Sequence, residues 1–384
     1  MQNSAPSALP LVDYRLLQKS KTQLNGNLKS PAQQLHQEAE EALNAGPFRV
    51  TDKTELPPSN DPHDYHSRAG YYWPNPDTED GLPWVCRDGE VNPTSRDSDL
   101  ARLQGLSEAV ETLALAHFFF EDARYAEKIV TLLHEFFINP ETRMNPHLKY
   151  SQSIPGIWEG SGWGIVSTRL LVPIADAIAL LEATDAIDQT PLDLLRGWMA
   201  TYLPWLLQSE NGRFASSRPN NHATIYDVQV VVLARLTGQH YIAERVLQEV
   251  PERRIDFQLE QTGKQMWEIA RTRAFGYSRG NLDHLIDLGL MAKHYDRDLF
   301  NYSSLDGRSI RRSLDFLIPF ATGKEEWVWE RVKHEEDSGD KFAALLCKAA
   351  IAFAEHDYRE IVPQLIHLNS EAFASHRVHL LFPE

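Results

Sequence analysis

From Leu100 to Ala354 the apolar residues recur every three or four positions, a spacing that admits little besides helices. Leu100, Leu103, Leu106, Val110, Leu113 and Leu115 trace one stripe, with Asp97 or Ser98 as its cap. Further stripes run from Ala123 to Phe137, Ile165 to Leu181, Ala223 to Leu236, Ile242 to Val250, Leu282 to His294, Ile310 to Leu317 and Phe342 to Ala354. Thr190-Pro191 joins a capping residue to a proline at the first helical position, starting a helix that reaches Leu207. Upstream, residues 13–46 read as two more helices, the second ended by Gly46. Strand alternation is absent apart from a weak Val378–Leu381 tail. An all-α chain is therefore expected: helices in sequential pairs, joined by alternately short and long loops. That pattern suits an α/α toroid or barrel, one domain over residues 1–384, with the long loops forming a cleft. No solenoid repeat period is visible.

The net charge of −16 argues against a nucleic-acid partner, which needs a basic footprint. It leaves room for a polyanionic substrate held in a local basic cleft. No apolar run is expected to reach the length of a membrane span. The first ten residues lack the basic and apolar regions of a signal peptide. With two cysteines, Cys86 and Cys347, and no CxxC spacing, neither a metal site nor a cofactor is expected. One disulfide or two free thiols are both open. His334-Glu335-Glu336-Asp337 lacks the second histidine of a zinc helix and reads as a solvated acidic turn.

Residues 47–97 differ from the rest. They are rich in proline, aspartate and aromatic residues, as in Tyr71-Tyr72-Trp73-Pro74-Asn75-Pro76 and Leu82-Pro83-Trp84. Aromatic content of this kind argues for an ordered loop, either functional or packed on the surface. The glycines of Gly160-Ser161-Gly162-Trp163-Gly164 follow no strand, so they suit close chain approach rather than a phosphate cradle.

Two polar clusters interrupt the helical pattern. In the first, Ser217-Arg218-Pro219-Asn220-Asn221-His222 runs into a buried helix, with His222 and Tyr226 one turn apart on the same face. An N-cap asparagine and a satisfied buried histidine would explain it structurally. The second, Trp267 to Leu282, holds Glu268, Arg271, Arg273, Tyr277, Arg279 and Asn281 ahead of another helix. Its arginines could pair with local acids such as Glu268 and Asp283. They could equally hold a carboxylate, and cations beside a tyrosine favour its phenolate. Amide, imidazole, guanidinium and phenol together suit β-elimination beside a uronate carboxylate. The first three quench the carboxylate's charge, and the phenol moves the proton.

The ordered set Tyr72-Trp73-Pro74-Asn75-Pro76, Arg87-Asp88-Gly89, Thr142-Arg143-Met144-Asn145-Pro146, Tyr150-Ser151-Gln152, Asn220-Asn221-His222 with Tyr226-Asp227-Val228-Gln229, and Glu268 with Arg271-Thr272 and Tyr277-Ser278 resembles the helical-toroid alginate lyases. The resemblance runs from about Tyr71 to Pro319. It implies that Asn221, His222 and Arg271 hold the uronate carboxylate and that Tyr277 is the acid/base. Where some members end the motif on a second tyrosine, this chain has Gly280. Arg273 is the alternative arginine. Tyr226 is the reserve acid/base and otherwise a substrate contact. Tyr72, Trp73, Asn220, Gln152 and Arg143 are the further substrate-binding residues implied.

The expected activity is a polysaccharide lyase on β-1,4-linked uronate polymers, mannuronate-rich alginate first, without a metal. Syn elimination by one tyrosine suits mannuronate or β-1,4-glucuronan, because H5 and O4 share a face there. Guluronate would need a base on the opposite side, which His222 could supply. A β-1,4-glucuronan lyase, a glycoside hydrolase using two of Asp88, Asp97, Asp227 and Glu268, and a non-catalytic uronan-binding protein are the alternatives. The expected partner is an acidic polysaccharide substrate, with no membrane, and the protein itself is expected to be a monomer in the periplasm or outside the cell.

Overall fold

The structure, a computed structural model, describes residues 9–95, 98–330 and 339–384. Asp97 and the acidic turn His334–Asp337 lie outside the described residues. The chain divides into two compact units. One gathers Glu38–Arg218 with Val232–His240; the other gathers the segment ending at Gln37 with Pro219–Val231 and Tyr241–Glu384.

In the first unit the Asp99–Phe120 helix is the centre. It buries Leu103, Leu106, Val110, Leu113 and Phe118, and packs against helices Ala123–Leu133 and Leu171–Ala183. Ser98 is its N-cap, and it ends at Glu121, whose left-handed φ of 58° turns the chain away. Asp122 caps the next helix by accepting the Arg124 N–H at 2.9 Å. That helix continues into a π turn at His134–Ile138, which covers the predicted reach to Phe137. Gly162–Ala183 corrects the expectation that no segment is long and apolar enough to span a membrane. By length and composition it is, but 72% of its most apolar stretch is buried inside the protein, as in a core helix.

The 47–97 stretch is ordered around two short strand pairs. His66–Arg68 runs parallel to Tyr150–Ser153, and Tyr72–Trp73 runs antiparallel to Val85–Cys86. The glycines near residue 160 permit close approach, as expected. A Cβ on Gly160 would lie 2.1 Å from the Lys149 carbonyl oxygen, and one on Gly164 2.1 Å from Ser151 Oγ.

In the second unit the Ala274–Ala292 helix is the centre, packed against Ile310–Ala321 and Gly339–Ala352. Lys348 bridges two of its carboxylates, Asp283 at 2.5 Å and Asp287 at 2.6 Å. Tyr14–Lys21 packs on Val378–Leu381, where Ser20 Oγ donates to the Leu380 carbonyl at 2.7 Å. That C-terminal stretch is thus a helical turn and not the expected strand tail.

Several boundaries differ from the sequence expectation: the helix expected to end at Gly46 ends at Ala42, that placed at Ile242 starts at His240, that placed at Phe342 starts at Gly339, and three further starts are displaced. The helix placed at Thr190 starts at Gln189 after an Asp188 cap, so Thr190 and Pro191 sit in its first turn. The one placed at Ala223 starts at Asn221. The one placed at Leu282 starts at Ala274, which moves Tyr277 from a loop onto a helix. Periodicity missed that extra length because Gly276, Ser278, Arg279, Gly280 and Asn281 break the apolar stripe. Cys86 is exposed and Cys347 buried, and both are free thiols.

One buried ion pair holds the part of the Asn221–Leu236 helix that belongs to this unit. Arg254 grips Asp227 with two bonds, Nε to Oδ2 at 2.7 Å and Nη2 to Oδ1 at 3.1 Å. Their side chains are 3% and 2% exposed, so water cannot replace either partner. Breaking such a pair strands a charge and costs about 3–5 kcal/mol. Arg254→Met is therefore expected to lower unfolding free energy by about that amount in urea titration. Asp227→Leu combined with Arg254→Met should cost less than Arg254→Met alone. A single-variant loss below about 1 kcal/mol would count the pair as unimportant.

Candidate active site

The Asn221–Leu236 helix begins at a polar cluster, and all the groups described next lie in the second unit. Asn220 and Asn221 are 9% and 8% exposed; His222 is half-buried. Asn221 is held from outside its own helix by Glu268. Its backbone N–H donates to Glu268 Oε1 at 2.5 Å, and its Nδ2 donates to Oε2 at 2.7 Å. Glu268 is 1% exposed. Burial pushes its carboxyl up to about 7, while the two Asn221 bonds and the Arg271 charge pull the other way.

Arg271 and Tyr277 meet. The guanidinium carbon is 4.5 Å from the centre of the Tyr277 ring, inside cation–π range. Arg271 Nη2 is 3.5 Å from the phenol oxygen, at the outer edge of hydrogen bonding. Tyr277 sits in the first turn of Ala274–Ala292, its N–H donating to the Arg273 carbonyl at 3.0 Å. Arg273 itself stands at the N-cap and is half-buried. Tyr226 is placed differently. It is 6% exposed, and burial with the neighbouring Asp227 charge lifts its phenol to about 12.

Beneath these residues lies an amide network that the sequence did not reveal. Thr224 Oγ1 donates to Gln258 Oε1 at 3.0 Å, and Asn281 Nδ2 donates to Gln258 Oε1 at 3.0 Å and Gln265 Oε1 at 2.8 Å. Gln265 Nε2 donates onward to the Ser278 carbonyl at 2.8 Å and Ser313 Oγ at 2.9 Å. Among the described residues no hydrogen-bond partner is found for the buried atoms Asn220 Oδ1, Asn281 Oδ1 and Ser278 Oγ. Native structures carry few such atoms, and each calls for an explanation. Single glutamines at 258 and 265 carried no motif, so spacing had no way to flag them. Glu268, three residues before Arg271, was visible as a motif member but without a role in elimination.

The remaining expected residues belong to the first unit. Tyr72 packs on the buried cluster of Ala69, Trp84 and Ile154. Trp73 lies 5.1 Å under the Arg87 guanidinium, and its Nε1–H donates to the Glu90 carbonyl at 3.1 Å. Gln152 has a left-handed φ of 46°, held by Ser67 Oγ accepting its N–H at 3.0 Å and Ser161 Oγ donating to its carbonyl at 3.1 Å. A non-glycine residue there is strained, a feature that clusters at functional positions. Arg143 is exposed, with its carbonyl 2.7 Å from His63 Nδ1. Among the described residues no three His, Cys, Asp or Glu side chains are placed to share a metal ion.

The alginate lyase family profile matches residues 49–327. Comparison with curated proteins gave no match. Among solved structures, an alginate lyase from Bacteroides ovatus matches at 34% identity with a TM-score of 0.92, over 97% of this chain and 98% of that one. Alginate lyase A1-III from Sphingomonas species A1 matches at 13% identity with a TM-score of 0.61, over 100% of both chains. A histidine-to-alanine variant of A1-III, complexed with tetrasaccharide, matches at 14% identity and 0.62, over 99% of this chain and 96% of that one. The A1-III likenesses show the fold alone, and the all-α, α/α toroid class expected from the sequence is the fold these comparisons give. By the span of the profile match and the identity to the Bacteroides ovatus enzyme, the chain belongs to the alginate lyase family.

Proposed function

We propose that this protein is a polysaccharide lyase that cleaves β-1,4-linked uronate polymers, mannuronate-rich alginate first, by metal-independent β-elimination. The observation that carries this is the guanidinium of Arg271 lying against the Tyr277 phenol in the same unit as Asn221 and His222. Asn221, His222 and Arg271 take the uronate carboxylate, and their hydrogen bonds and charge receive the electron density that builds there as H5 leaves. Tyr277, as phenolate, removes H5. The C5 electron pair forms the C4–C5 double bond, the C4–O4 bond breaks, and the same phenol returns its proton to O4. One base serving both ends requires H5 and O4 on one face, which favours mannuronate.

The A1-III variant complexed with tetrasaccharide supports an oligosaccharide as the ligand type for this fold. The hydrolase alternative is weakened by where two of its carboxylates went. Both oxygens of Glu268 accept from Asn221, and both oxygens of Asp227 accept from Arg254. A long uronan is met outside the cytoplasm, so we place the protein in the periplasm or outside the cell.

Poly-mannuronate incubated with the protein is expected to gain ultraviolet absorbance from unsaturated uronate ends. New reducing ends without that absorbance would mean hydrolysis, and neither signal would mean binding only. Tyr277→Phe is expected to lower kcat by about 10²–10⁴-fold with KM within a few-fold, the usual size of a lost acid/base. Tyr226→Phe should stay within about tenfold of the parent. The opposite ranking of the two variants would transfer the acid/base role to Tyr226.

A further inference from the structure

Resting on the lyase function above, we propose that Glu268 is a positioning residue for the elimination, its carboxylate dictating which face of the Asn221 amide is turned toward substrate. An ionised carboxylate can only accept hydrogen bonds. Oε1 takes the Asn221 backbone N–H at 2.5 Å, which fixes the carboxylate plane against the first turn of the helix. Oε2 then sits 2.7 Å from the amide end of the same residue and must meet its NH₂ group, not its oxygen. One Nδ2 hydrogen is thereby committed to Glu268. The other is left to donate to a uronate carboxylate, which an amide turned the other way could not do.

Two features make this more than local packing. Glu268 is 1% exposed, so no water competes for its oxygens and the amide is held by a single partner type. The second is that the orientation depends on charge. A protonated Glu268 gains an O–H donor, and an O–H facing the amide favours Oδ1 turned inward, the reverse face. The groups that act on its ionisation are burial, the two Asn221 donors from the Asn221–Leu236 helix, and Arg271 from its own segment. Their balance leaves the carboxyl near pH 7, so the switch falls where a lyase would be assayed.

The sign for stability follows. The folded carboxyl, at about 7, lies above its ordinary value of 4.5. Between those values the folded protein keeps a proton that the unfolded chain has released, so this group's contribution to stability falls as pH rises through that window and is flat above it. Glu268→Gln removes that dependence. Its melting temperature is therefore expected to gain on the parent's as pH goes from about 5 to 8.

The activity test uses the full chain and poly-mannuronate across about pH 5 to 9. Parent kcat is expected to rise with pH through an acid limb near 7, the value set by Glu268. Glu268→Gln should lose that limb and drop kcat by about 10–100-fold, with KM within about threefold. Glu268→Asp, which keeps the charge one methylene short, should retain the limb with partial activity. In an Asn221→Ala background, Glu268→Gln should cost little more, because Glu268 acts through Asn221. An acid limb unchanged in Glu268→Gln, or losses that multiply in the double variant, would overturn the proposal. Should the parent cleave no uronan while the melting difference persists, the lyase function falls and the raised ionisation of Glu268 stands. A missing melting difference refutes the pH switch at Glu268.

Discussion

A helix cannot satisfy its own first N–H groups, and here a buried carboxylate from another segment does so. Glu268 accepts the Asn221 N–H at the start of the Asn221–Leu236 helix, placing negative charge at the positive end of the helix dipole. Nearly two turns later Arg254 pins the same helix through Asp227. The two anchors oppose rotation and sliding together. The chemical groups at its start, Asn221 and His222 with Asn220 just before them, take their bearing from them. The charges also have different costs. Asp227 has a full counter-charge at 2.7 Å, while Glu268 accepts both of its bonds from Asn221 N–H groups, with the Arg271 charge acting in the same direction. Burial raises both carboxyls.

Behind the anchors the second unit is joined by amides where an ordinary core would be aliphatic. Gln258, Gln265 and Asn281 pass hydrogen bonds among themselves and out to Thr224, Ser313 and the Ser278 carbonyl. An apolar core tolerates small slips between helices; a chain of paired amides does not, because each slip strands a buried donor or acceptor. The gain is register. The segment before Ala274 and the start of the Asn221–Leu236 helix are tied in one arrangement, so Arg271 and Asn221 address the same carboxylate, Glu268.

Much of this was legible in the residues. Helical spacing announced nearly every long helix, because burial on one face leaves a stripe that spacing detects. The two polar clusters stood out because buried helices seldom begin with amides, imidazole and guanidinium. What stayed hidden has physical reasons. The Ala274–Ala292 helix starts where glycines and polar residues erase the stripe, and its first turns are held by packing and the Gln265 bond to Ser278, not by pattern. The short strands near residues 66–86 and 150–153 are two to four residues long, too brief for alternation to register. The Glu268–Asn221 clamp spans 47 positions of sequence, and no local rule links residues so far apart.

The displaced helix start also bears on the choice between two tyrosines. If elimination needs a phenolate, the cost of making one decides. For Tyr226, buried and lifted to about 12, that cost at pH 8 is about 5 kcal/mol, before any chemistry begins. Arg253 and Arg254 offset it only in part, against burial and the same-sign charge of the adjacent Asp227. Tyr277 sits in a first helical turn, where the backbone dipole favours an anion, and a guanidinium lies 4.5 Å from its ring. It is also half-buried, not sealed, so a sugar C5 can reach it. Had the helix begun at Leu282, as the apolar stripe implied, Tyr277 would have been a loop residue without the dipole. The same glycines and polar residues that hid the helix from the sequence place the phenol at its positive end.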